Sequence, residues 1–149
     1  MIKEFDFYHG VVISRILHTS RREISIKSYS ENDNASYVID SKRGIYIKYC
    51  TKRLSPWRFS FQKKHHDEIL NMKNTIGNVY LLLVCNDDGI VVLNFSEIRE
   101  ILDEVYKSVD WVSVARVKGK MYTVKGSDGK LRFKVGRNEF PNKIFTTEQ

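Results

Sequence analysis

The hydrophobic pattern changes period several times along the chain, and each change marks an element. Phe5, Tyr8, Val12 and Ile16 recur at spacings of three and four, which predicts a helix over residues 4–18. Gly10 interrupts it and permits a close backbone approach. Ile24 and Ile26 then alternate with Ser25 and Lys27, which predicts a strand over 22–29. A polar SENDNAS loop precedes a strand over 37–40, a tight turn over 41–44 and a strand over 44–50, with Gly44 available for a positive φ. In that last strand Ile45, Ile47 and Tyr49 share one face, and Tyr46, Lys48 and Cys50 the other. Trp57, Phe59 and Phe61 alternate with Arg58 and Ser60 after Pro56, giving a fourth strand.

Helical spacing returns over 62–76 through Ile69, Met72 and Ile76, and Gly77-Asn78 stops it. The run Val79 to Cys85 is apolar at every position and predicts a central strand covered on both faces. Asn86-Asp87-Asp88-Gly89 turns the chain into a partner strand over 90–93. Ser96 is the expected N-cap of a helix over 97–106 with Ile98, Ile101, Leu102 and Val105 inward. Strands over 111–117, 121–125 and 130–135 then form a β-meander, and a tail holding Phe140 and Ile144 covers the domain. Interleaved helices and strands around one doubly covered strand predict an α/β or α+β fold: a mixed central sheet flanked by helices. Residues 1–149 read as one domain, with a core over 1–110 and a C-terminal meander over 111–149.

Composition narrows the class. Apolar residues make up 42% of the chain, enough for a packed core. No apolar run approaches the length of about 18 residues that marks a membrane span. The start MIKEFDFYHG lacks the charged and apolar regions of a secretory signal, so a cytoplasmic protein is expected. Cys50 and Cys85 read as reduced core thiols, since no Cys/His cluster is present. The net charge of +7 is unevenly distributed. Residues 41–64 hold eight basic and no acidic residues, whereas 65–110 hold three basic and nine acidic. Residues 111–149 form a second basic segment, with nine basic and three acidic residues. If the two basic segments share one face, that face suits a phosphate backbone or an acidic partner; on different faces they only solubilise the domain.

The turn places candidate chemistry. A hairpin centred near Lys42 sets Asp40 opposite Gly44 and Ser36 opposite Lys48. Lys48 then lies near Asp33 and Asn34, with Asp40 roughly 13 Å away. His65 and His66 point about 100° apart on a helix, so no shared metal is expected. Asp87-Asp88-Gly89 lacks the further carboxylates of a calcium loop and reads as a hairpin turn.

The order helix, three-stranded meander, helix, strand, with a lysine in GIYIKY, resembles the core of the PD-(D/E)xK (restriction-endonuclease-like) superfamily over about residues 4 to 105. The runs GIYIKY, SPWRFSF and LLLVCNDDGIVVL also resemble those of uncharacterised bacterial proteins. The resemblance implies Lys48 as the catalytic lysine, Tyr46 in the carboxylate position of the E-x-K triplet, and Asp33 as the first acid, with Glu4 as the alternative. It also implies Mg²⁺ if the chain is an active enzyme. A phenol is a poor substitute for a hard oxygen ligand, so the form is degenerate and no resident metal is expected.

Three functions follow as expectations. The first is a nucleic-acid-associated binding domain on a nuclease-like scaffold with catalysis impaired. It would contact DNA or RNA through Lys48, Lys52, Arg53, Arg58, Lys63 and Lys64. The second is a protein-interaction module, of an immunity or defence-associated kind, whose basic face meets an acidic protein. The third is an active metal-dependent nuclease using Lys48 and Asp33. A solvent-reaching strand lysine without a role remains the alternative for Lys48.

Overall fold

A computed structural model describes residues 1–146. The elements are α1 (Glu4–Thr19), β1 (Ile26–Ser28), β2 (Ser36–Ile39), β3 (Arg43–Cys50), β4 (Trp57–Phe61), α2 (Lys63–Ile76), β5 (Asn78–Cys85), β6 (Gly89–Asn94), α3 (Phe95–Ile101), β7 (Asp110–Ala115), β8 (Thr123–Gly126), β9 (Gly129–Lys130) and α4 (Asn142–Phe145). The fold is mixed α and β, as the interleaved pattern predicts. A five-stranded sheet runs in the order β1-β2-β3-β5-β6. Only β3 and β5 are parallel, joined through α2; the other neighbours are antiparallel.

β5 is buried from Val79 to Cys85, and each face meets its own core. On one side Tyr46, Leu81, Leu83, Val91 and Leu93 pack with Ile69 and Met72 of α2 and Ile98 and Ile101 of α3. On the other, Ile45, Ile47, Leu82 and Val92 pack with Val12 and Ile16 of α1 and with Phe140 and Ile144 of the tail. The alternation read for β3 is therefore realised, and the tail is a cover. Gly10 approaches no other backbone; it faces outward with open space around it.

β4 departs from the expected sheet. It pairs with β7 and heads a second, antiparallel sheet, β4-β7-β8-β9. Trp57, Phe59 and Phe61 bury inward while Arg58 and Ser60 stay exposed. Val112, Val114, Tyr122 and Val124 join them in the core that also holds Leu81 and Leu83. The C-terminal meander and the N-terminal elements thus share a hydrophobic core. Asp88, in the β5–β6 turn, ties the sheets together. Its carboxylate accepts two bonds from Arg116, at 2.8 and 2.9 Å, and one from the Tyr122 hydroxyl at 2.7 Å.

The β2–β3 hairpin is two residues tighter than expected. Ser36 opposes Tyr46, and Ile39 opposes Arg43. Asp40 and Ser41, not Gly44, take the positive φ angles, 54° and 58°. The Asp40 carboxylate fixes this turn from outside the hairpin by accepting from Ser25 N–H at 2.9 Å and from Arg22 at 2.7 Å. The same contacts hold the backbone before β1, so that strand is shorter than the 22–29 expected. Gly44 serves packing instead: a Cβ there would lie 2.5 Å from Met72 Cε, beneath α2. A shift of two residues preserves the faces. It also carries Lys48 beyond the start of β2.

Three further boundaries move. α3 begins two residues early because Asn94 caps it: the Asn94 side chain accepts from Glu97 N–H, and the Glu97 carboxylate from Asn94 N–H, both at 2.9 Å. The helix ends at Ile101, where Asp128 takes the Asp103 N–H at 3.0 Å, so Val105 is 64% exposed and not inward. The strand expected over 130–135 shortens to β9 and one bridge between Tyr122 and Val135.

Candidate functional site

The tight hairpin leaves a notch in the five-stranded sheet. β2 starts opposite Tyr46, while β3 continues through Lys48 to Cys50. The loop before β2 crosses at this point and is pinned by Ile47 N–H donating to Ala35 O at 2.9 Å. A cleft of about 570 Å³ opens here. Its walls come from both faces of the sheet: Phe5, His9 and Tyr49 on the α1 side, and Tyr46, Lys48, Lys64 and His65 on the α2 side, with Asn32 to Ala35 between. The structure thus brings Lys48 and Asp33 together, as the hairpin spacing predicts, although through a different register.

Asp33 is held by short-range chemistry. Its Oδ1 accepts from Ala35 N–H at 2.9 Å, which closes an Asx turn. Its Oδ2 accepts from the Tyr46 hydroxyl at 2.8 Å. Tyr46 is 1% exposed. Burial, reinforced by the bond to Asp33, pushes its phenol far above the ordinary value, so it is a neutral donor. The neighbouring Glu68 carboxylate accepts from Ser36 Oγ at 2.8 Å. Glu4, the other candidate acid, accepts from Tyr49 Oη at 3.2 Å.

Lys48 is half-buried. Its Nζ lies 3.4 Å from His65 Nδ1 and 5.0 Å from the centre of the Phe61 ring. Burial lowers its pKa to about 8; Asp33 opposes the shift and Lys64 adds to it. Asp33 is near enough to act through space, but its oxygens are already bonded, and Lys48 makes no ion pair among the described residues. His65 Nδ1 also accepts from Gln62 N–H at 3.0 Å, which assigns the proton to Nε2. Burial first, then Lys48, hold the His65 pKa down at about 4, so the ring is neutral at ordinary pH. His66 points inward and donates through Nε2 to Asp103 O at 2.9 Å. The two histidines therefore serve different surroundings.

The first turn of α2 carries Lys63, Lys64, His65 and His66 and no acidic residue. A helix N-terminus bears partial positive charge and free N–H groups, which acidic residues usually offset. Here cations crowd that end, and among the described residues only Lys63 is relieved, by Asp67 at 2.9 Å.

The remaining basic candidates are dispersed. Lys52 folds back on its own loop, donating to Pro56 O at 3.1 Å. Arg58 lies over the Trp111 ring at 4.5 Å, on the second sheet. Arg53 is exposed in the loop before β4. Of the six basic residues singled out, only Lys48 and Lys64 line the notch. His65 and Phe5 are lining residues that the sequence did not mark for binding; Tyr49, for which the sequence favours a core position over a base-stacking one, lines the notch too. Cys50 and Cys85 are register neighbours in β3 and β5, and both are free thiols.

The donors around Lys48 do not suit the Mg²⁺ implied by the superfamily resemblance. Both Asp33 oxygens have protein partners, and the residue in the second carboxylate position is a neutral phenol. Among the described residues no group of three or more His, Cys, Asp or Glu could hold a metal ion. No helix among them is long and apolar enough to cross a membrane. The site defines a cationic, aromatic-walled notch at a sheet edge. No family model, curated protein or solved structure matches the chain.

Proposed function

We propose that the chain is a nucleic-acid-binding domain on a nuclease-like scaffold without nuclease chemistry. The observation that carries this reading is Lys48: a half-buried ammonium beside Lys64 and the α2 N-terminus, with its one near carboxylate already hydrogen-bonded. A cation buried without an ion-pair partner costs stability, and so does a run of lysines at a helix N-terminus. Both costs fall when an anion enters the notch. Local choices that oppose stability are expected at functional sites. A phosphate fits the charge and the donors: two ammonium groups and the His65 Nε2–H.

The element order behind the superfamily resemblance supports the scaffold half of this reading: α1, the β1–β3 meander, α2, then the buried β5, with β4 of the second sheet inserted before α2. The bonded state of Asp33 and the phenol at Tyr46 support the loss of catalysis. Fluorescence anisotropy with labelled DNA and RNA oligonucleotides tests the proposal. Binding is expected at low salt and should weaken as salt rises. Absence of binding at low salt, or binding without salt dependence, contradicts it.

A further inference from the structure

We infer that nucleic acid enters the notch as a single strand, with one unpaired nucleotide spanning the sheet edge between its cationic and aromatic walls. This rests on the nucleic-acid reading above and specifies the form of the ligand. The carrying observation is the arrangement of the two walls. Because β2 stops short of Lys48, the space beside β3 communicates with both faces of the sheet. Successive residues of a strand point to opposite faces. Lys48 therefore reaches the α2 side, with Lys64 and His65, while Tyr49 reaches the α1 side, with Phe5 and His9. Charge and aromatic surface lie across one strand from each other, as they do in the two halves of a nucleotide.

The aromatic wall is built and supported from behind. Tyr49 stacks on Tyr8 with ring centres 4.6 Å apart and planes 7° apart. Phe5 leans on His9 at 5.2 Å, and His9 is fixed by a 2.9 Å bond between Nδ1 and the Tyr37 hydroxyl. Asn32 and Asn34, both exposed, stand between the walls. Their side-chain amides offer donors and acceptors of the kind that read a base edge. A volume of about 570 Å³ is that of a small-ligand site. A paired duplex keeps its base faces stacked inside and offers only its backbone and groove edges, so it leaves the aromatic wall empty. A single strand offers a base to that wall and a phosphate to Lys48 and Lys64. Aromatic stacking of this kind tolerates any base.

The test is a comparison of a labelled single-stranded DNA oligonucleotide with a blunt-ended two-strand duplex of matched length at the same salt. The proteins are the unmodified chain, Phe5→Ala, Phe5→Trp and Lys64→Ala, each checked by thermal melting. The single strand is expected to bind at least tenfold more tightly than the duplex. Phe5→Ala should weaken single-strand binding about fivefold or more, the loss of one stacked base, and leave duplex binding unchanged. Phe5→Trp should preserve the preference, and Lys64→Ala should weaken both ligands. Equal affinity for the two forms, or a preference unaffected by Phe5→Ala, overturns this inference and leaves the cationic reading standing. Absence of binding to either form at low salt overturns both.

Discussion

The Tyr46 hydroxyl donates a 2.8 Å hydrogen bond to the Asp33 carboxylate. Tyr46 stands where the superfamily resemblance asks for a carboxylate, and it bonds the one acid the resemblance retains. Tyr46→Phe removes the donor and leaves an acceptor in a half-buried loop. A loss of about 1–2 kcal/mol is expected in urea denaturation. Mg²⁺-dependent cleavage should be absent before and after the change. Unchanged stability would show that the bond holds nothing.

The Lys48 pKa of about 8 makes anion binding depend on pH. Below that value the ammonium is charged; above it the positive charge disappears. Oligonucleotide affinity at constant salt should fall between pH 7 and pH 9. Lys48→Arg, which stays charged, should flatten that profile. A profile identical in both proteins contradicts the assignment.

His65 sets a second pH dependence, this one in stability. Its pKa is lowered to about 4 in the folded chain and is near 6.5 when unfolded. Between those values the unfolded chain binds more protons, so stability rises with pH and is lost as pH falls from 6.5 toward 4. His65→Gln should reduce that slope in chemical denaturation measured across this range. An unaltered slope would assign it to other groups.

Asp88 joins the two sheets through Arg116 and Tyr122. Those partners hold its carboxyl below the usual carboxylate range, Arg116 first. Asp88→Asn keeps the shape and removes the charge, and should cost about 2 kcal/mol. A loss of less than about 0.5 kcal/mol in urea denaturation would mean the sheets are held by their apolar contacts alone.

What the sequence disclosed depended on how local the cause was. The Val79–Cys85 run and the alternation of Ile45, Tyr46, Ile47 and Lys48 carry their burial in their own spacing, so β5 and both faces of β3 were legible. The hairpin register was not, because it is set by Ser25 and Arg22 reaching Asp40 from outside the hairpin. The second sheet was hidden for the same reason: nothing within Trp57–Phe61 specifies Asp110–Ala115 as its partner. At the site, Lys48, Asp33 and Lys64 could be read from charge and turn chemistry. His65 could not be separated from His66, since the direction of α2 over the sheet decides which ring enters the notch. Tyr49 and Phe5 were legible as apolar positions, but their place at the rim follows from where β2 begins.

If Lys48 and Lys64 hold a nucleic-acid phosphate in the notch, each contributes to the salt dependence of binding. The most direct measurement is the salt dependence of single-strand affinity for the unmodified chain, Lys48→Ala, Lys64→Ala and, as a control outside the notch, Arg58→Ala. Each phosphate contact contributes about 0.7 to the slope of log affinity against log salt for a single strand. Lys48→Ala and Lys64→Ala should each weaken binding and lower the slope by about that amount, while Arg58→Ala has a smaller effect. Equal effects from all three substitutions would assign binding to diffuse surface charge and contradict the notch.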